Sequence, residues 1–111
     1  MNEGFNEFLH VPARLTIVAL LAPANWTEFG FLRDAIPTSD SALSKHLSSL
    51  AAKGYVEIRK DKHVGGRRTL VRLTSDGRHS FRAHAASLER IVAAARAPSD
   101  HRWTADHRAF G

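Results

Sequence analysis

Ser41-Ala42-Leu43-Ser44-Lys45-His46-Leu47-Ser48-Ser49-Leu50 is the stretch on which the architecture turns. Leu43, Leu47 and Leu50 recur at i, i+4 and i+7, the period of a helix buried along one stripe. His46 shares the leucine side, and Ser41, Ser44, Lys45 and Ser48 share the opposite one. Serine is a weak helix former, so propensity alone does not select this many in one helix. Short hydroxyls do allow close approach to phosphates and base edges, which suits a helix that enters a major groove. The plain alternative is a solvated face. Thr38-Ser39-Asp40 offers an N-cap just before the run, and Gly54 is a natural residue for the position after the helix end.

Towards the N-terminus, Pro12 suits a first helical turn, and Leu15, Val18 and Leu21 follow at helical spacing up to Pro23. Asn25-Trp26-Thr27 reads as a break with room for a minimal strand. Thr27 is the expected cap of a helix through Phe29, Leu32 and Ile36 that stops before Pro37.

Beyond Gly54 the period changes. Tyr55–Arg59 and Thr69–Leu73 alternate with period two, as strands do. Between them, Lys60–Arg68 reads as a basic hairpin tip with two glycines. Ser75 opens a long helix to about Arg96, which Pro98 ends. The order helix, helix, helix, hairpin, helix is α+β and mainly helical. Two short helices around a tight turn, followed by a basic hairpin, make a winged helix-turn-helix: a three-helix core, a two-stranded wing and a long C-terminal helix. Residues 5–96 form the expected domain. Residues 97–111 lack sustained periodicity and read as a loosely ordered tail, with Trp103 and Phe110 available to dock.

Composition narrows the function. A chain of 111 residues with 43% apolar and 24% charged content fits one globular domain. The absence of cysteine excludes a disulfide scaffold, a thiolate zinc site and a cysteine nucleophile. The longest apolar run, Ile17–Ala24, is eight residues and includes a proline, too short to span a membrane. Met1–His10 holds two acids and no Lys or Arg, so it does not read as a targeting peptide, and the expectation is a cytoplasmic protein. There is no Gly-rich phosphate loop and no nucleophile elbow, so neither catalytic residues nor a cofactor are expected.

Net charge is +5 and unevenly placed. Residues 1–52 balance at −2 and residues 53–96 at +7, while the last fifteen cancel. A basic half on a small domain points to a polyanion, usually nucleic acid; the alternative is a basic face that keeps the protein in solution.

Ser41–Leu50 with Lys53-Gly54-Tyr55-Val56-Glu57 resembles the recognition helix and second strand of MarR/ArsR-type winged-helix transcriptional regulators, closest to the small single-domain group. Arg67-Arg68-Thr69 and Leu73-Thr74-Ser75-Asp76-Gly77-Arg78 are similar to that group's wing exit and final-helix start. His10–Leu15 fits its first helix and Trp26–Phe29 its second; Ala42 departs from it, standing where an Asn is expected. The resemblance spans about residues 5–92 and implies a homodimer on a pseudo-palindromic operator in double-stranded DNA.

The expected sites follow. Ser39, Ser41, Ser44, Lys45 and Ser48 would face the major groove, and Lys62, His63, Arg67 and Arg68 on the wing would meet phosphate or the adjacent minor groove. Phe81, Ala85, Leu88, Val92 and Ala95, spaced 4, 3, 4 and 3, read as a dimer seam, the alternative being that this stripe packs on its own domain. No metal site is expected. His46 reads as structural, His79 and His84 are five apart rather than four, and His101 and His107 lie in the tail. The sequence names no small-molecule effector. The rival function is a winged helix serving as a protein-interaction adaptor without sequence-specific DNA binding.

Overall fold

α1 (Pro12–Leu21) begins at its proline and turns Ile17, Val18 and Leu21 into the core. This is a computed structural model, and it describes residues 3–63 and 65–96. The expected tail, with Trp103, Phe110, His101 and His107, lies outside the described residues.

Thr27 does not cap a helix. Thr27 and Glu28 form a short strand, β1, whose Thr27 pairs with Val71, and α2 (Phe29–Ala35) starts without any side-chain cap. Pairing with β3 holds Thr27 in extended backbone, and the helix starts two residues later.

α3 (Asp40–Ala52) has both ends closed locally. The Ser39 hydroxyl accepts from the Ala42 N–H at 3.1 Å. At the far end Gly54 takes φ +81°, and the N–H groups of Tyr55 and Gly54 return to the carbonyls of Leu50 and Ala51, both at 2.9 Å. That is a Schellman closure, which explains why glycine stands there.

β2 (Val56–His63) and β3 (Gly66–Leu73) pair antiparallel along their whole length, from Val56↔Leu73 to His63↔Gly66. The wing is therefore longer than the alternating residues alone suggest, because β2 runs on to His63 and β3 starts at Gly66, inside the nine residues 60–68. Positive φ at Gly65 and Gly66 permits the tight reversal, so the charged residues expected in a loose tip belong to the ladder instead. The sheet order is β1-β3-β2.

α4 (Ser75–Arg96) is fastened at its start. The Thr74 hydroxyl accepts from the Gly77 N–H at 3.0 Å and donates to the Gly54 carbonyl at 2.6 Å. Gly77 lies so close to Tyr55 that a Cβ there would run into the Tyr55 carbonyl oxygen. Arg78 donates to the Ala22 carbonyl at the end of α1. The core beneath gathers Leu9, the α1 residues, Leu32 and Ile36, Leu43, Leu47 and Leu50 of α3, and Val56, Val71 and Leu73 of the sheet. Its effect is to hold α3 and the wing at one end of the domain, each with its polar side outward.

Candidate nucleic-acid interface

On α3 the buried leucines leave Ser41, Ser44, Lys45 and Ser48 exposed. Ser39 is exposed as well, with its oxygen occupied by capping and its proton free to donate. His46 is half-buried, its Nδ1 3.4 Å from Arg14 Nε, while Arg14 also donates to the Phe8 carbonyl and lies over the Phe8 ring. It sits in the support of the helix rather than on the open face.

Strand geometry sorts the wing. Residues directly opposite across an antiparallel pair share a face, and the faces alternate along each strand. Ile58, Lys60 and Lys62 of β2 therefore share a face with Val71, Thr69 and Arg67 of β3. This face adjoins the recognition helix: Ile58, Lys60 and Thr69 line one shallow groove with Ser44, Leu47, Ser48 and Phe29. Among the described residues, Lys60, Lys62 and Arg67 have no ion-pair partner.

The other face is internally neutralised. Arg72 pairs with Glu57 at 2.7 Å, Arg59 with Asp61 at 3.0 Å and Arg68 with Glu28 at 3.1 Å. The guanidiniums of Arg59 and Arg72 each lie over the Trp26 ring, 4.5 Å from its centroid. Arg67 and Arg68, expected to act together, thus stand on opposite faces, and only Arg67 shares the surface of α3. Sequence reasoning misses Lys60 because the strand alternation stops at Arg59 and places it in the hairpin tip. Its signal was the parity it shares with Ile58, which becomes legible once the strand is known to continue. His63 lies at the end of β2.

The stripe on α4 divides too. Phe81, the first residue of the expected seam, is half-buried and packs against the core of its own domain. Ala85 and Leu88 are half-buried, and Val92 and Ala95 are exposed. Leu88 and Val92 line an open groove with Glu89, Ala93 and Arg96, next to Ile91, which is 41% exposed. His79 is exposed on the same helix, whereas His84 is fully buried. Among the described residues there is no group of three or more His, Asp or Glu side chains arranged to hold a metal, and no helix long and apolar enough to cross a membrane.

Known proteins share this construction. The family model described as a winged helix DNA-binding domain matches residues 13–92. An uncharacterized protein of Methanocaldococcus jannaschii is 33% identical over 69 residues, 62% of this chain and 75% of that one. A transcriptional regulator homologue from Pyrococcus horikoshii superposes with a TM-score of 0.74 at 24% identity, covering 80% of this chain and 88% of that one. A structure described as a possible transcriptional regulator for arsenical resistance is 35% identical, with a TM-score of 0.58 over 78% of this chain and 91% of that one. A MarR-family regulator from Enterococcus faecalis has the same fold, with a TM-score of 0.72 at 16% identity over 81% of each chain. The likeness read from Ser41–Leu50 and the wing exit therefore holds across the domain. The chain belongs to the winged helix DNA-binding domain family.

Proposed function

We propose that the protein is a sequence-specific transcriptional regulator that binds a pseudo-palindromic operator as a homodimer. The observation that carries this reading is the continuity of the α3 face with the unpaired side of the wing. Ser41, Ser44, Lys45 and Ser48 present short donors and one base on a helix about 20 Å long, which fits lengthwise in a major groove. Lys60, Lys62 and Arg67 flank it where the phosphate backbone would pass, and His63 follows at the end of β2. Lys62 and Arg67 stand directly opposite each other, an arrangement of like charges that costs stability unless an anion intervenes. In this reading α3 supplies base preference and the wing supplies charge.

The second half of the proposal is the dimer. Val92 is 48% exposed and Ile91 41%, and with Leu88 they form an apolar strip on α4 outside the core formed by the described residues. Paired against a second copy, the strip is removed from water, and two recognition helices are held about one DNA turn apart. Ala85 and Ala95 extend the same strip at either end.

Selecting bound duplexes from a random pool tests the whole reading. A two-fold-related motif is the expected result, and enrichment without sequence preference would identify an interaction adaptor instead. Leu88→Asp tests the seam separately, because it places a charge in an apolar interface and leaves the core residues untouched. The variant should stay helical by circular dichroism, sediment as a monomer and bind operator poorly. An unchanged dimer would move the contact elsewhere, and an unfolded chain would return the strip to its own domain.

A further inference from the structure

Residues 3–6 fold back onto α4 over a histidine pair, of which His84 is buried and His10 exposed. His84 is fully buried, and its Nδ1 accepts the Asn6 backbone N–H at 3.0 Å. Its Nε2 lies 3.2 Å from Nδ1 of His10, and the Phe5 ring packs on both imidazoles, with centroids 4.9 and 5.0 Å away. Gly4, at φ +85°, passes so near Ala83 that an added Cβ would lie 2.9 Å from the Ala83 carbonyl oxygen, and Arg90 donates to the carbonyl of Glu3. Asn6 is the hub: its Oδ1 accepts from the Leu9 N–H and its Nδ2 donates to the Tyr55 hydroxyl. Leu9, buried in the core, anchors the segment from the other side.

These contacts fix the protonation state. Because a backbone N–H points at His84 Nδ1, that nitrogen must hold a lone pair, and neutral His84 carries its proton on Nε2. Nε2–H then donates to His10 Nδ1. Two imidazole nitrogens this close invite a metal reading, which the same logic excludes. Ligation through His84 Nε2 would push the proton to Nδ1, where it would face the Asn6 N–H donor to donor. A proton arriving in acid creates the same clash.

We propose that His84 and His10 act as a proton-operated latch, holding residues 3–6 on α4 at neutral pH and releasing them on acidification. The surrounding groups favour the neutral state. Burial foremost, then the charge of His10, hold His84 below the ordinary histidine value. On the segment itself Glu3 and Glu7 are exposed. From α1, Arg14 is engaged by Phe8 and His46. From the turn before β2, Tyr55 meets Asn6, its hydroxyl drawn below its usual value mainly by Ser80. From α4, Arg90 is turned to the Glu3 carbonyl. A released segment exposes His84 and binds protons more readily, so the latched state is fully favoured above about pH 6.5 and loses ground as pH falls below it. Release uncovers α4 at Ala83, just before the strip assigned to the dimer; the latch itself does not depend on that assignment.

Imidazole and amide NMR on the full chain, titrated from pH 8 to 5, tests this. At neutral pH His84 should show an unprotonated Nδ1 and a protonated Nε2. The Asn6 amide should then shift with the His84 midpoint while core amides such as Leu50 and Val71 stay in place. His10→Gln, at an exposed position that keeps an acceptor for Nε2–H, should raise that midpoint by removing the neighbouring charge. A protonated Nδ1 at neutral pH, an Asn6 amide indifferent to His84, or core amides moving at the same midpoint would each overturn the latch, the last by showing global acid unfolding.

Discussion

The two faces of the β2–β3 hairpin hold similar basic side chains and use them in opposite ways. On the side away from α3, cross-strand partners are of opposite charge, Glu57↔Arg72 and Asp61↔Arg68, and every arginine has a carboxylate within 3.1 Å. On the side shared with α3, the partners are Lys60↔Thr69 and Lys62↔Arg67, with no acid among them. One face is electrostatically complete within the chain, and the other is incomplete until an anion arrives. Counting basic residues in the wing therefore overstates what is available to DNA, and the strand register identifies which ones are.

The largest effect should come from removing the incomplete face. With Lys60, Lys62 and Arg67 all changed to Ala, affinity for every duplex should fall together, by about two orders of magnitude at physiological salt. The slope of log K against log salt should flatten by about three units per protomer. Fluorescence anisotropy across a salt series reads both, and an unchanged slope would break the comparison. Next in size, Ser44→Ala should leave that slope alone and relax preference at one operator position, at about 1–3 kcal/mol of discrimination, measured by competition between single-base variants.

A smaller effect sharpens the contrast. Glu28→Gln removes the partner of Arg68, and if pairing is what withholds that arginine, affinity should rise a few-fold and the slope steepen by up to about one unit. Unaltered binding would mean that Arg68 cannot reach the duplex from its face. The smallest change is expected from Glu57→Ala. An exposed ion pair contributes less than about 1 kcal/mol, so urea unfolding should move little and DNA binding not at all.

The halves of α4 repeat the lesson in apolar form. Phe81 and Val92 belong to one sequence stripe of regular spacing, yet the first packs on its own core and the second stands 48% exposed. Periodicity reports that a helix has an apolar side; it does not report where the rest of the domain ends. The first half is held down by Gly77 against Tyr55 and by Arg78 on Ala22, contacts between residues far apart in the chain.

Local physics made much of this protein legible in its sequence. The leucine period of α3, its Ser39 cap, the Gly54 closure and the alternation of the strands are set by neighbours within a few residues, so the winged helix and the serine face followed from them. Tertiary structure decided what depends on pairing across distance. Thr27 became a strand because β3 passes beside it, and the tip shortened because the ladder runs on to Gly66. Arg68 was neutralised by Glu28, forty residues away, while Lys60 was left open, and His84 found His10 at a separation of 74 residues. A sequence states which side chains alternate, but whether a charge or a buried nitrogen is satisfied depends on the segment folded against it, and that is fixed only when the core closes.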